Sequence, residues 1–288
     1  MPNSIKFSGS LHSHGCWTDY RNPKEKMNFP FDLEKFAKLC LGCGRDFQAI
    51  TDIMASWPGM PEFQEHRHRA LLDTARKDSS VYLEGGKRES IVYVGSGKLV
   101  IPRTQEILTD THFKHILAVG TDRDIRGGRN AIDTLKEIKD TQGYCIIDHP
   151  FMCSIWQEGE LLDLHDKGMI DALEWNGGLT WPAFTSRFMK RVPSKRSNLR
   201  AIGLESRIPV VANDDAHSAG DIKQGAYTTY FIDSTSRLYV DRVFESVRAT
   251  PREFRRHEQY SGFFSPVNHV RYGSQSQKMF GNQGLPDA

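Results

Sequence analysis

Apolar and polar positions along this chain change period repeatedly, and each change marks an element. IKFSGSLHSH (5–14) has the composition of a short strand opening into a loop. In DLEKFAKLCLGCG, Leu33, Phe36, Ala37, Cys40 and Leu41 fall on one helical face. Asp32 suits the N-cap and Gly42 or Gly44 the end, so the pattern predicts a helix over 32–42. DFQAITDI is a continuous apolar run, as in a strand buried on both faces. PEFQEHRHRALLDTARKD (61–78) reads as a helix, and KLVIPRTQEIL and HILAVG read as strands. NAIDTLKEIKDTQG is helical, with Leu135 and Ile138 on its apolar side. YCIIDHP (strand), ELLDLHDKG (short helix), DALEWN (strand) and SNLRAIGLESR (helix) follow. The strands IPVVANDD and AYTTYFI and the helix SRLYVDRVFESVRA complete the series. This alternation predicts an α/β fold with a parallel sheet and crossover helices, open or closed into a barrel. One domain is expected over residues 1–270. The Gly/Ser/Gln/Asn-containing stretch 271–288 lacks periodicity and is expected to be a loose tail.

Composition narrows the class. Apolar residues make up 38% and charged residues 26% of the 288 positions, which fits a soluble globular protein. A net charge of +2 is too small to argue for polymeric nucleic acid or an anionic membrane surface. No apolar run reaches the roughly 18 residues of a membrane span. The opening MPNSIKFSGS lacks a signal peptide's apolar core, so a cytoplasmic location is expected. The five cysteines, Cys16, Cys40, Cys43, Cys145 and Cys153, are odd in number and form no disulfide framework. Cys40 and Cys43 make one C-x-x-C, but Cys40 belongs to a core face and no second such motif exists. Composition is silent on oligomeric state.

The candidate chemistry lies where the apolar runs stop. Residues i and i+2 of a strand share a face, so His12 and His14 project side by side, which suits a divalent metal. Other strands end in Asp52, in Asp148 and His149, in Glu174 and Asn176, and in Asp214, Asp215 and His217. Parallel α/β folds place their sites at this edge. Carboxylates gathered there need compensating cations, and a metal supplies them.

These residues resemble a known family, the PHP superfamily, named for its polymerase and histidinol phosphatase members. SLHSHGCWTDY resembles its opening D-L-H-x-H-T-x-x-S-D-G, and QAITDI its A-I-T-D-H. KLVIPRTQEIL resembles V-I-P-G-x-E, followed by the stretch EILTDTHFKHILAVG in which a ligand histidine is expected. IIDHP matches I-I-x-H-P, ALEWNG is similar to I-E-x-x-N-G, and VVANDDAHSAG to x-G-S-D-A-H-S. The matches run in family order from residue 6 to about 230.

The resemblance implies a distorted (β/α)7 barrel with two to three divalent ions, Zn, Mn or Fe. Carried over residue by residue, one ion takes His12, His14, Glu106 and Asp215. A second shares Glu106 and takes His115 and His149. A third takes Asp19, His217 and the histidine of T-D-H, but Ile53 stands there and an aliphatic chain cannot ligate. Asp19 and His217 are then left as candidates for a general acid. Ser10 replaces the motif's first aspartate, which removes a carboxylate partner for a ligand. RTQ occupies the place of the motif's G-x, so Asp110 and Asp122 stand as alternatives to Glu106, and His112 as the alternative to His115.

The implied function is a metal-dependent phosphoesterase that hydrolyses a small phosphomonoester or nucleotide with a metal-activated hydroxide. Hydrolysis of a non-phosphate ester or carbamate, or a metal-stabilised binding or regulatory module, are the competing readings. Other polar residues have simpler explanations. His66 and His68 sit on a charged helix face, and His165, His257 and His269 lack carboxylate company. Asp52 is expected to accept a hydrogen bond. Glu174 and Asn176 either support the ligands or tie a strand end to its loop. The basic run Arg187, Lys190, Arg191, Lys195, Arg196 and Arg200 is a solvated surface or a lure for an anionic substrate.

Overall fold

A computed structural model describes residues 5–14, 33–55, 63–64, 81–110, 114–151, 156–177, 193–216, 219–232, 238–249 and 254–258. The strands are β1 (Ile5–Ser10), β2 (Phe47–Gln48), β3 (Ile50–Ala55), β4 (Phe63–Gln64), β5 (Tyr82–Gly85), β6 (Glu89–Val94) and β7 (Gly97–Leu108). They continue as β8 (His115–Val119), β9 (Tyr144–Ile147), β10 (Ala172–Asn176), β11 (Val210–Asn213), β12 (Tyr227–Ile232) and β13 (Phe254–His257). The helices are α1 (Leu33–Gly42), α2 (Ala131–Asp140), α3 (Glu158–Asp166), α4 (Pro193–Gly203), α5 (Ala219–Gln224) and α6 (Tyr239–Ala249).

The strands lie in the order β11-β10-β9-β8-β7-β2-β1-β12-β13, with β3 and β6 also paired to the long β7. The sheet curls into a nearly closed barrel. Across the remaining gap Thr228 Oγ1, on β12, accepts from Ala212 N and donates to Ala212 O on β11. Two backbone bonds, Asp215 N to His12 O and His14 N to Ala216 O, extend this seam above β1 and β11.

Every expected strand forms, but the sheet is mixed where a parallel one was expected. β8 runs antiparallel to both β7 and β9, and β12 antiparallel to β1. Only residues 109–114 join β7 to β8, too few for a crossover helix, so the chain turns straight back. The helix expected over 61–78 is also corrected at its start. Phe63 and Gln64 pair antiparallel with Ala55 and Met54, because ladder bonds to an open edge outweigh a helical pattern. The rest of that segment, Asp32 and the 271–288 tail lie outside the described residues. α4 begins at Pro193, four positions before the predicted start, since proline suits the first helical turn.

Alternation along the strands sets the barrel's interior. Leu117, Ile146, Ala172 and Val211 join Phe7, Leu11, Phe47 and Tyr230 in one buried cluster, closed from below by Val240, Val243, Phe244 and Val247 of α6. The Phe244 ring stacks on Tyr144 with centroids 4.0 Å apart. The opposite faces of the strands supply Ile116, Ala118, Cys145, Ile147 and Leu173 to a second cluster under α2, α3 and α4. Among the described residues no helix is long and apolar enough to cross a membrane.

Candidate metal centre

The same period of two builds the polar rim. Two residues beyond the inward Leu117, Ile146, Ala172 and Val211 stand His115, Asp148, Glu174 and Asn213. Because β8 runs antiparallel, its first residue, His115, reaches the same rim as the last residues of its neighbours. His12 and His14 follow β1, Glu106 lies near the end of β7, His149 follows β9 and Asp215 follows β11. His149 (φ 24°) and Asp215 (φ 45°) are two of the three non-glycine residues with positive φ among the described residues. Strained backbone at two candidate ligands is the pattern of a functional rim.

Six of the eight sequence-predicted ligands meet there. His12 Nε2 lies 3.1 Å from His14 Nε2 and 3.3 Å from Asp215 Oδ1. His14 Nε2 is 3.3 Å from both Asp215 Oδ1 and Glu106 Oε2, and His12 Nε2 is 3.9 Å from Glu106 Oε2. The other Glu106 oxygen, Oε1, is 2.8 Å from His115 Nδ1. His149 completes that side, its ring centroid 4.8 Å from that of His115. Asp19, His217 and the competing His112 lie outside the described residues. Asp110 and Asp122 are exposed, so Glu106 alone of the three carboxylates enters the cluster. The backbone of Ile53 pairs with Glu106, which puts that position beside the rim, as the motif implies.

Two carboxylates that the sequence placed at strand ends, but not among the metal ligands, also enter the cluster. Fully buried Asp148 places Oδ1 3.3 Å from His12 Nδ1 and Oδ2 3.0 Å from His149 Nε2. Yet among the described residues no donor meets either oxygen at a hydrogen-bonding angle. Glu174 accepts from His12 Nδ1 (2.9 Å) and Asn213 Nδ2 (3.0 Å) on one oxygen, and from Asn176 Nδ2 (3.0 Å) and His149 N (3.1 Å) on the other. Asn176 Nδ2 also reaches Asp215 Oδ2 at 3.2 Å. Glu174 and Asn176 therefore hold the cluster rather than merely a loop. The signal for Asp148 was its place, two residues past an inward apolar strand residue.

Charge in the cluster is strongly coupled. Burial would lower the His12 imidazole, but Asp148, Asp215 and Glu174 outweigh it and hold it well above its ordinary range. Burial likewise opposes protonation of His14, and Asp215 and Glu106 prevail. For His149 burial is overcome chiefly by Asp148, which raises it to about 10. Burial would raise Glu106 and Asp148; the neighbouring imidazoles hold both well below the carboxylate range. Glu174 is pushed up to about 7 by burial and then by Asp148.

The donor set fits divalent cations. With Nδ1–H held against Glu174, loss of the other ring proton leaves the His12 Nε2 lone pair aimed at His14 and two carboxylates, where a divalent cation can take that proton's place. Tetrahedral ligands at about 2.0–2.1 Å from one ion stand about 3.3–3.4 Å apart. The measured spacings of His12, His14, Glu106 and Asp215 run from 3.1 to 3.9 Å. Glu106, His115, Asp148 and His149 form a second group whose ligand atoms all lie within 4.8 Å of one another.

The remaining candidates separate from the rim. His165 Nδ1 bonds Ile170 O, and His257 bonds Thr229 and stacks on Tyr227, so both are half-buried and structural rather than free on the surface. His66, His68 and His269 lie outside the described residues, as do the side chains of the basic run except that of Arg200, which is exposed and paired with Glu158. Cys40 is buried in the core as expected.

No family model and no curated protein matches the sequence. Among solved structures the chain is similar to the lesion-specific endonuclease PfuEndoQ from Pyrococcus furiosus, at TM-score 0.50 and 13% identity over 85% of this chain. A two-domain protein from Bacteroides vulgatus, described as containing a predicted PHP-like metal-dependent phosphoesterase, aligns at TM-score 0.49 and 14% identity over 89% of this chain. The chain spans 56% of the length of the first protein and 66% of the second. At such identity the likeness is one of fold. The nearly closed mixed barrel, with its rim cluster of imidazoles and carboxylates, is consistent with the PHP-type barrel that the ordered motifs imply.

Proposed function

We propose that this chain is a cytoplasmic metal-dependent phosphoesterase acting on a small phosphomonoester or nucleotide. One observation carries the reading: the two oxygens of Glu106 face two different imidazole groups, His14 on one side and His115 on the other. A carboxylate so placed can bridge two ions. In this reading His12, His14, Glu106 and Asp215 hold one, and Glu106, His115 and His149 the other, with Asp148 facing the second group. Divalent ions bound there, Zn, Mn or Fe, would neutralise phosphoryl oxygens and lower the pKa of water. The chain's own residues do the rest. Glu174 fixes the His12 tautomer, Asn176 ties Glu174 to Asp215, and the apolar layer beneath excludes water from below. Asp19 or His217 serves as general acid toward the leaving oxygen.

A second reading comes from the Pyrococcus neighbour, which is named as an endonuclease. The expectation against polymeric nucleic acid does not fit that neighbour and is withdrawn, so a nucleic-acid phosphodiester stands as the alternative substrate. Elemental analysis of purified protein, followed by assay with the metal found, tests the proposal. Turnover of p-nitrophenyl phosphate and nucleoside monophosphates supports it. Cleavage confined to oligonucleotides selects the second reading, and cleavage confined to carboxylic esters or carbamates rejects both. Protein that binds no Zn or Mn at all leaves only a binding module.

A further inference from the structure

The seam between β1 and β11 holds a buried pair that belongs to neither ligand group. Ser10 and Asp214 are both fully buried and lie 204 positions apart, with Ser10 Oγ 3.0 Å from Asp214 Oδ1. The serine hydroxyl has one proton and two lone pairs. It accepts from Asp214 N (3.1 Å) and His12 N (3.4 Å), and its proton is within reach of Asp214 Oδ1 and of His12 O at 2.9 Å. Asp214 accepts from Gln48 Nε2 at 2.9 Å and Ala216 N at 3.3 Å, and the buried Arg45 guanidinium stands 3.9 Å away as a counter-charge. Gly225 leaves room for it, since a Cβ there would stand 2.5 Å from Asp214 Cβ.

The pair touches the backbone of a candidate ligand on each strand. Ser10 contacts His12 N and O, Asp214 immediately precedes the strained Asp215, and Asp215 N donates to His12 O. Against the motifs quoted above, the two residues are reversed. D-L-H-x-H places a carboxylate where this chain has Ser10, and G-S-D-A-H places a hydroxyl where it has Asp214. A hydroxyl donating to a carboxylate works in either direction across the seam, provided both positions change together.

We infer that Ser10 and Asp214 are a positioning pair that sets the spacing of His12 against Asp215, carried in this chain with carboxylate and hydroxyl exchanged. The inference rests on the metal reading of the rim. Ser10→Asp alone sets two buried carboxylates face to face. Asp214→Ser alone takes the acceptor from Gln48 and the counter-charge from Arg45. Together they restore one hydroxyl and one carboxylate, and Gln48, which pairs with Ser10 in the β1–β2 ladder, borders both positions.

The test is a double-mutant cycle read by zinc affinity. Wild type, S10D, D214S and S10D/D214S are stripped of metal and titrated with Zn2+ alone against a chromogenic chelator. Unfolding is followed separately in chelator. Each single variant is expected to bind its tightest ion about 10–100-fold more weakly, and the double variant to return to within about threefold of wild type. If D214S does not fold, D214N replaces it: the amide keeps the side chain's shape and can donate to the introduced carboxylate, so S10D/D214N is expected to recover zinc affinity. Additive losses in the double variant overturn the inference. So do single variants that lose stability in chelator but keep wild-type zinc affinity. Wild type that takes up no zinc overturns the metal reading and this inference with it; wild type that binds while the exchange restores nothing overturns the inference alone.

Discussion

Glu174→Gln is the most informative single change at the rim. The ionised carboxylate accepts from four donors, two on each oxygen: His12 Nδ1 and Asn213 Nδ2, then Asn176 Nδ2 and His149 N. A glutamine keeps one acceptor oxygen and turns its NH2 against the other two donors. Hydrogen bonds to a charged group are worth about 1.5–3 kcal/mol each, so losing two sets an upper bound near 6 kcal/mol. Relaxation reduces this, and residues that orient metal ligands typically cost about 10–100-fold in affinity, or about 1.4–2.7 kcal/mol. The loss should appear only when metal is bound. Burial and Asp148 raise Glu174 to about 7, so the metal-free protein already carries a proton there below neutrality, and the amide mimics that state. Calorimetric Zn2+ titration at pH 7.5 should therefore show a 10–100-fold weaker Kd, while urea unfolding in chelator at pH 6 shifts by less than about 1 kcal/mol. A Kd within threefold of wild type, in folded protein, would refute the assignment of Glu174 as the residue that orients His12.

Four further outcomes follow. His149→Ala removes a ligand candidate from the second group only, so elemental analysis should find one ion fewer per chain and not none. Metal affinity should climb with pH: Asp148, overcoming burial, lifts His149 from the ordinary 6.5 to about 10, so an incoming ion must displace that proton throughout this window, by up to about tenfold per pH unit. The metal-free protein should show the opposite trend, because a raised histidine contributes its full stability below about 6.5 and loses it as pH approaches 10; a flat urea midpoint across that range would contradict the coupling. Gly225→Ala should destabilise by about 2–4 kcal/mol, since its Cβ would stand 2.4 Å from Asp221 O and 2.5 Å from Asp214 Cβ, and denaturant titration measures it.

The strands and most helices were legible because their signal is local periodicity. The reversal of β8 was missed although the six residues 109–114 are too few for a crossover helix; they carry no distinctive turn sequence, and the alternation of the other elements pointed to a parallel sheet. The hairpin of β5 and β6 was passed over although VYLEGGKRESIVYV alternates about a Gly-Gly turn. At the rim, motif spacing located His12, His14, Glu106, His115, His149 and Asp215. It overlooked Asp148, whose position in I-I-x-H-P is unspecified, although period-two counting from Ile146 points it inward. Ser10 looked like the loss of a carboxylate. Only the juxtaposition of residues 204 apart reveals that Asp214 supplies one from the facing strand.

The seam has a consequence for how the chain comes into being. His12 and His14 leave the ribosome early, while Asp215 follows about two hundred residues later. Bringing strand ends 204 residues apart together costs on the order of 5 kcal/mol of chain entropy. A growing or truncated chain that stops short of β11 thus lacks Asp215, the ligand candidate that ties His12 and His14 to the far end of the sheet. In the proposed reading, uptake of the ion held by His12, His14, Glu106 and Asp215 reports a finished barrel, and that ion acts as a clasp on the two ends of the fold, released first when the chain is damaged near either one.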